Sequence, residues 1–403
     1  MQKKLNILQL CIKPPYPPVD GGTLAMNSVT QGLGAEGHRV SVLTVYSDKH
    51  PLSPEATDKG IKGVYIDLRP KIPGAVAAML SGESYHVRRY RSRNFADTLV
   101  QTLRQETFDI IHIESIFLTD YLPLIRQHSN APVVLRAHNV EHLIWQRAAS
   151  TCRNPFKRRY LKHLALTLRA YELSHVAEYD AVVCITQNDA NYFADHGCPA
   201  KKISVIPFGI TPEPLEHIDP EPATLFHIGS MDWAPNIEGI DWLLNQVWPA
   251  IKAASPQARL YIAGRHMPER LLNLEADGVT VVGEVADAMY FIASKQINIV
   301  PLLNGSGLRV KIIEAMSAGK TVISTTIGAQ GILCTDGVDI LIADTPEQFA
   351  QQVKRCLDNP QFCQTIGHNA YNLVATQYDN RQLASRLANL YHTLLLKTQP
   401  DTQ

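Results

Sequence analysis

This 403-residue sequence is poor in cysteine chemistry. Its seven cysteines (Cys11, Cys152, Cys184, Cys198, Cys334, Cys356, Cys363) are odd in number, widely scattered and form no CxxC pair. That excludes a disulfide scaffold and a cysteine zinc site, and it reads as a set of reduced thiols. No apolar run approaches 18 residues, so no spanning helix is expected. The N-terminal stretch Leu5–Ile12 is broken by Asn6 and Gln9 and runs into Lys13-Pro14-Pro15-Tyr16-Pro17-Pro18. It lacks the core and cleavage site of a signal peptide, and the expected location is the cytoplasm. Net charge is also missing: 38 Lys and Arg balance 38 Asp and Glu. A general nucleic-acid binder would show a basic excess, so no nucleic-acid partner is expected. GxGxxG is absent, which excludes an ordinary dinucleotide dehydrogenase, and so is HExxH. His112-Ile113-Glu114 puts two polar side chains on one strand face without a third ligand, so no metal is expected.

What is present is globular in composition, with 45% hydrophobic and 19% charged residues. At roughly 150 residues per domain, the length favours two or three domains. The zero net charge hides an asymmetry. Residues 1–215 hold 25 basic and 19 acidic side chains, and the remainder 13 and 19, giving +6 and −6. Short β-branched runs alternate with helical periods, the pattern of parallel sheets in α/β domains. The first set is Leu5–Ile12, Arg39–Val45, Phe108–Glu114, Pro132–Arg136, Asp180–Thr186 and Ile203–Pro207. Residues 211–223, with four prolines and four acids, have no period and suit an exposed linker. A second set follows: Thr224–Ile228, Leu260–Ala263, Val279–Val282, Ile297–Pro301, Thr321–Ser324 and Ile340–Ala343. The expected division is a first Rossmann-like domain (1–210), the linker (211–223), a second such domain (224–378) and a C-terminal helix (379–403) packing back on the first.

Two places offer ligand chemistry. Gly21-Gly22 follows the proline-rich loop ahead of a helix expected to start near Thr23, and permits a close backbone approach at a helix N-terminus. An ordinary glycine turn has the same appearance. Sharper is Pro301-Leu-Leu-Asn-Gly305-Ser306-Gly307-Leu308-Arg309-Val-Lys311-Ile-Ile-Glu314. A strand end, a Gly-Ser-Gly turn and a helix with Arg309 and Lys311 in its first turn place cations where the helix dipole is already positive. An anion relieves that conflict, so a diphosphate is the expected occupant, with Glu314 in reach of a ribose hydroxyl. The alternative is a plain surface pair on an amphipathic helix.

These segments, in order, resemble a known family. Pro17-Pro18 to Gly21-Gly22, Gly37–Leu43, Arg136-Ala137-His138-Asn139, Ile185-Thr186 and Ile206–Gly209 match in the first half. His227-Ile228-Gly229, Ile262-Ala263-Gly264, Val281–Val285, Ile299–Lys320 and Gly328-Ala329-Gln330-Gly331 match in the second. The chain is similar to retaining glycosyltransferases of family 4 (group 1), bacterial surface-polysaccharide type. The resemblance implies an α/β chain of GT-B architecture, two Rossmann-like parallel-sheet domains facing across a cleft. It implies sugar transfer from a nucleotide-sugar co-substrate, UDP-sugar foremost, to a saccharide or lipid-linked acceptor hydroxyl, without metal or further cofactor. It places His138, Arg309 and Lys311 in catalysis. Gly21, Gly22, Gly229, Gly283, Glu284, Val285, Gly305, Ser306, Gly307, Leu308 and Glu314 fall around the donor, and Asn139 and Glu141 on the acceptor side. Two departures stand out. Of the family's pair of glutamates only Glu314 is kept, Ser306 taking the other place. Gly229-Ser230 and Asn236-Ile237-Glu238 stand where an arginine and a lysine usually hold the donor phosphates. Arg309 and Lys311 are the expected replacements.

The basic excess of the first half is local. Arg153, Lys157, Arg158, Arg159, Lys162 and Arg169 are interleaved with Phe156, Tyr160, Leu161, Leu164, Leu166 and Leu168, and Arg88, Arg89, Arg91 and Arg93 follow the apolar stretch Ile72–Leu80. Such segments lie on an anionic leaflet or simply form solvated helices packed on the sheet. Competing functions are a GT-B sugar-nucleotide epimerase, a phosphorylase-like enzyme, and a degenerate binding subunit, the last motivated by Ser230 and Ser306.

Overall fold

The computed structural model describes residues 3–211, 218–304 and 308–398. Two compact units emerge, Met1–Gly209 with Asn380–Gln403, and Ile210–Asp379. The first carries a seven-stranded sheet: β1 (Asn6–Cys11), β2 (Arg39–Tyr46), β3 (Lys62–Tyr65), β4 (Ile110–Ile113), β5 (Val133–Ala137), β6 (Ala181–Cys184) and β7 (Ile203–Val205). Its order is β3-β2-β1-β4-β5-β6-β7, parallel throughout. The second carries β8 (Thr224–Ile228), β9 (Arg259–Ala263), β10 (Val279–Gly283), β11 (Ile297–Val300), β12 (Thr321–Ser324) and β13 (Leu341–Ile342), in the order β10-β9-β8-β11-β12-β13. Both orders reverse direction once, at β1/β4 and at β8/β11. In open α/β sheets the crevice beyond the strand ends at that reversal is where ligands bind.

Alternation along the strands explains the two faces of the first sheet. Leu8, Leu10, Ile111, Ile113, Val133 and Leu135 enter one core with Phe95 and Leu99. Their neighbours Ile7, Ile110 and Val134 enter another, completed by Leu383, Leu387, Ala388 and Tyr391 from the helix Asn380–Thr398. That C-terminal helix therefore belongs to the first unit, where the apolar spacing of Arg381–Leu396 needed a surface to cover. With its residues counted in, the first unit holds 28 Lys and Arg against 19 Asp and Glu, and the second 10 against 19. The charge split is +9 and −9, wider than the division at residue 215.

Two expectations are corrected. β3 was not anticipated: Lys62-Gly-Val-Tyr is a four-residue edge strand whose glycine and lysine blur the alternation. The first helix begins at Gly21 rather than Thr23, because Asp20 caps it in a reciprocal capping box with Thr23. At the end of the expected linker, Glu221 N–H donates to Ser294 O (3.0 Å), and Lys295 Nζ reaches its carboxylate at 2.5 Å. Residues 212–217 of that linker lie outside the described residues. No described helix is long and apolar enough to cross a membrane.

Burial of the C-terminal helix has a measurable consequence. Leu387 is 2% exposed, so Leu387→Ala should destabilise the first unit by about 2–5 kcal/mol. Urea unfolding followed with limited proteolysis checks this, and an unchanged midpoint would show that the helix is not integral to that unit.

Candidate active site

In the second unit the site is built where β8 ends. Gly264, after β9, has φ +151°, and a Cβ there would lie 1.7 Å from Gly229 O, so the two loops meet backbone to backbone. Gly264 N–H donates to Gly283 O (2.7 Å), tying in the end of β10. A Cβ at Gly229 would stand 2.9 Å from Asn236 Nδ2 and 3.3 Å from Lys311 Nζ. The lysine amine thus lies over the glycine, in space that any side chain would occupy. Lys311 Nζ donates to Asn236 Oδ1 (2.7 Å) and lies 3.5 Å from His227 Nε2. His227 Nδ1 is 2.9 Å from Ile299 O and must donate to it, which leaves Nε2 as an acceptor facing the lysine. Asn236 Nδ2 donates to Ser230 O at 2.7 Å.

Lys311 sits in the first turn of the helix Val310–Ser317, whose N-cap is Arg309 with no side-chain cap bond. Arg309 is buried, its guanidinium 5.5 Å from the Trp233 ring centroid. Burial, with the Arg309 charge beside it, pushes the Lys311 amine down to about 7. One turn on, Glu314 is half-buried, and burial pushes its carboxyl up. Among the described residues its carboxylate has no hydrogen bond or ion pair. Leu308 is half-buried ahead of Arg309, and Gly283 is buried with φ +77°. Glu284 is exposed and Val285 half-buried in the loop beyond β10. Gly305, Ser306 and Gly307 lie outside the described residues.

The first unit gathers a second group. Glu114, just past β4, is fully buried and receives Gln9 Nε2 (2.6 Å), with His138 Nε2 at 2.8 Å and His112 Nε2 at 3.2 Å. Burial alone would raise this carboxyl, but the imidazoles of His112 and His138 outweigh it and hold it well below the usual carboxylate range. Tyr391 OH pairs with His112 Nδ1 (2.6 Å), so the C-terminal helix reaches the same cluster. His138 is thus held through Nε2, with its side chain 17% exposed. Glu141 begins the helix Glu141–Thr151. That helix is capped from outside: Glu172 accepts from Glu141 N–H (2.9 Å) and His142 N–H (3.2 Å). Burial and the Glu172 charge push the Glu141 carboxyl up to about 8, with Asn139 hydrogen-bonded to it. His138, Asn139 and Glu141 line one small pocket with Glu114 and Glu172. Gly21 and Gly22 are not in its wall. They form the first turn of the helix Gly21–Ala35, over the Lys13–Asp20 ion pair (2.6 Å).

His227, Asn236, Gln9, Glu114 as a partner of His138, and Glu172 were not anticipated as site residues. A signal existed for two of them: Gln9 and His227, like His112 and Arg136, stand buried among the apolar residues of their strands. A polar side chain kept there needs a partner. Among the described residues no cluster of three His, Cys, Asp or Glu is placed to hold a metal ion.

Comparison with known proteins gives these groups a context. Residues 222–359 match the family described as glycosyl transferases group 1, and residues 19–214 match glycosyltransferase family 4. The chain belongs to the family 4, group 1 glycosyltransferases. It transfers a sugar from a nucleotide-sugar donor. A 44.6 kDa protein in the cps region of Klebsiella pneumoniae is 23% identical to it, over 93% of this chain and 96% of that one. HepE of Anabaena, solved with UDP and glucose, shares the fold with a TM-score of 0.66 at 16% identity, covering 96% and 100% of the chains. WaaG, a glycosyltransferase involved in lipopolysaccharide biosynthesis, does so at 0.64 and 15%, over 95% and 99%. The two parallel sheets are those of the GT-B fold.

The glycosyltransferase's depressed lysine predicts a pH effect. Folded Lys311 titrates near 7, against a normal 10.5. Between those values the unfolded chain binds more protons, so this lysine makes stability rise with pH across that window. Lys311→Met removes the contribution. Urea unfolding should show the stability of the native protein relative to the variant improving from pH 7 to pH 10. A difference independent of pH would place the amine in water.

Proposed function

We propose that this glycosyltransferase moves a sugar from a UDP-sugar to a hydroxyl of a lipid-linked or growing saccharide with retention of anomeric configuration, at the inner face of the cell membrane. The observation that carries the proposal is the Lys311 amine held over Gly229, with Arg309 at the same helix N-terminus. Two cations and a helix dipole directed at one spot suit the two phosphates of a nucleoside diphosphate. In the usual family pattern an arginine after the first strand and a nearby lysine hold those phosphates. Here Ser230 and Asn236 stand in their places, and Asn236 instead accepts from a lysine supplied by another helix. The carboxylate of Glu314 has open acceptor capacity one turn along, suited to the ribose hydroxyls. The UDP bound by HepE supports the choice of base, and the role of WaaG in lipopolysaccharide biosynthesis supports a surface saccharide as product.

In the reaction the bond from the anomeric carbon to the phosphate oxygen breaks as the acceptor oxygen bonds to that carbon on the same face. The acceptor proton passes to the departing phosphate oxygen. Charge therefore grows on the phosphate in the transition state, where preorganised cations act most strongly. Arg309 and Lys311 supply that stabilisation, and transfer is expected to persist in excess EDTA. His138, held at Nε2 by Glu114, offers its remaining ring nitrogen to a saccharide hydroxyl.

Membrane contact is the finer part of the proposal. In the helix Pro155–His175, Lys157, Arg158, Arg159, Lys162 and Arg169 are exposed beside Phe156 and Leu166, which are 85% and 66% exposed. Near an anionic leaflet each cation contributes about 1 kcal/mol. Anionic liposomes at low salt should retain the protein, and failure to do so would reduce the basic face to decoration.

Arg309→Ala and Glu314→Ala should each lower transfer about 100-fold or more with folding intact. Donor preference is read from thermal shifts with UDP-, GDP- and ADP-sugars, since a ligand bound only by the folded state raises its stability. Near-normal transfer in either variant would overturn the site. Donor consumption without an acceptor would mark an epimerase instead.

A further inference from the structure

A second recess in the first unit lies outside the pocket around His138. It is a cleft of about 340 Å³ beyond the end of β3, and its walls carry Arg69, Lys71, Arg88, Arg89 and Arg91 against one carboxylate, Asp67. Four of these cations are held by carboxylates. Arg69 and Lys71 share Asp67, Arg88 and Arg91 share Glu83, and Arg91 also reaches Asp120. Arg89 is different. It has no ion pair among the described residues, its Nε is buried without a hydrogen-bond partner, and its guanidinium lies 5.7 Å from the Tyr85 ring centroid. A cation fixed against a ring, with open donors and ordered cations around it, is built for an oxyanion.

The neighbouring helix Ile72–Ser81 points to the rest of the ligand. It contains no charge, and its amphipathicity is inverted. Ala75 and Ala78 pack inward near Tyr85 and Leu161, whereas Ile72, Val76, Met79 and Leu80 are 81%, 45%, 52% and 82% exposed. These four fall at i, i+4, i+7 and i+8, a single stripe. Exposed large side chains on one stripe mark an apolar partner. The stripe starts at Ile72, next to Lys71 of the cleft wall. On its other side the cleft adjoins the His138 pocket: Tyr90, between Arg89 and Arg91, stacks on Phe117 at 5.5 Å, and Phe117 follows Ile116 of that pocket's wall.

We infer that this cleft is the phosphate subsite of a lipid-linked acceptor, with Arg89 gripping the phosphate or diphosphate, the Ile72–Leu80 stripe taking the lipid chain, and the saccharide running toward His138. The inference rests on the proposed function and names its acceptor class. Charge complementarity decides the occupant: a neutral saccharide leaves Arg89 without a counter-charge, and a free phosphate leaves the apolar stripe uncovered.

The test titrates farnesyl diphosphate, inorganic diphosphate and farnesol into the full chain by calorimetry. Farnesyl diphosphate should bind most tightly. Arg89→Ala should weaken it about 10-fold or more, the scale of a lost hydrogen bond to a charged group. Arg89→Lys should restore part of that loss, and circular dichroism checks that Arg89→Ala remains folded. Leu80→Asp, at an exposed position, should weaken farnesyl diphosphate but not inorganic diphosphate. Arg309→Ala should leave farnesyl diphosphate binding unchanged. If Arg309→Ala rather than Arg89→Ala abolishes it, the probe occupies the donor site and the inference fails. Equal binding of inorganic and farnesyl diphosphate, indifferent to Leu80→Asp, would make this a free-phosphate site and overturn the lipid acceptor. No binding by any probe overturns the subsite altogether. None of these results depends on transfer, so they stand apart from the donor-site variants.

Discussion

Two positive charges share one helix N-terminus in the second unit, and much of that unit's binding edge is arranged to hold them there. The dipole of Val310–Ser317 adds the equivalent of about half a positive charge at the same end. Burial, and then that repulsion, loosen the hold of Lys311 on its proton, and the structure answers with acceptors. His227 is locked by a β11 carbonyl so that its free nitrogen faces the amine. Asn236 turns its oxygen to the amine and its nitrogen to Ser230 O. Gly229 leaves the space open, and Gly264 permits the loop beside it to pass at backbone distance. His227 of β8, Gly229 just beyond it and Asn236 thus meet at a single ammonium group.

The first unit mirrors this with the opposite charge. Its buried ion is a carboxylate, Glu114, and its donors come from the strand face that the C-terminal helix covers. Gln9 and His112 pair in register across β1 and β4, and Glu114 follows His112 by two residues on the same face. Tyr391 closes the cluster over a sequence separation of 279 residues. An acidic site in a unit of net charge +9 and a basic site in a unit of −9 separate the long-range field from the local one.

Strand positions were legible because parallel, doubly covered strands read as continuous apolar runs. Twelve of the thirteen described strands lie wholly within, or overrun by one residue, the segments expected from the sequence, and β3 was missed for its shortness. The place of Arg309 and Lys311 at a helix N-terminus was legible as well, since both conflict with its dipole in the sequence itself. Their partners were not. Nothing near Asn236 in the chain announces a lysine 75 residues on, and Glu114 shows its grip on His138 only when β4 and β5 lie side by side. Pairing of this kind follows from sheet order, which local periodicity does not encode. The capping of Glu141 by Glu172 was hidden for the same reason, because Val140 at the N-cap offers no side-chain acceptor.

Electrostatic cost bears on the proposed substitution at Ser230. A chain that had merely lost its phosphate-binding arginine and lysine would be left with neutral side chains and a relaxed loop. Here a lysine from another helix occupies the space over Gly229, half-buried and beside a buried arginine. Taking an ammonium out of water against a like charge is unfavourable, and replacing it with an apolar side chain of similar size would commonly cost the fold nothing. The fold does not need this charge for packing: Ile312, Ile313 and Met316 of the same helix are fully buried and already anchor it. What the charge does supply is electrostatic readiness for an anion, with the acceptors of His227 and Asn236 positioned before any ligand arrives. A site preorganised at such a cost favours binding and turnover over a passive scaffold, because the stabilisation is realised only when negative charge enters.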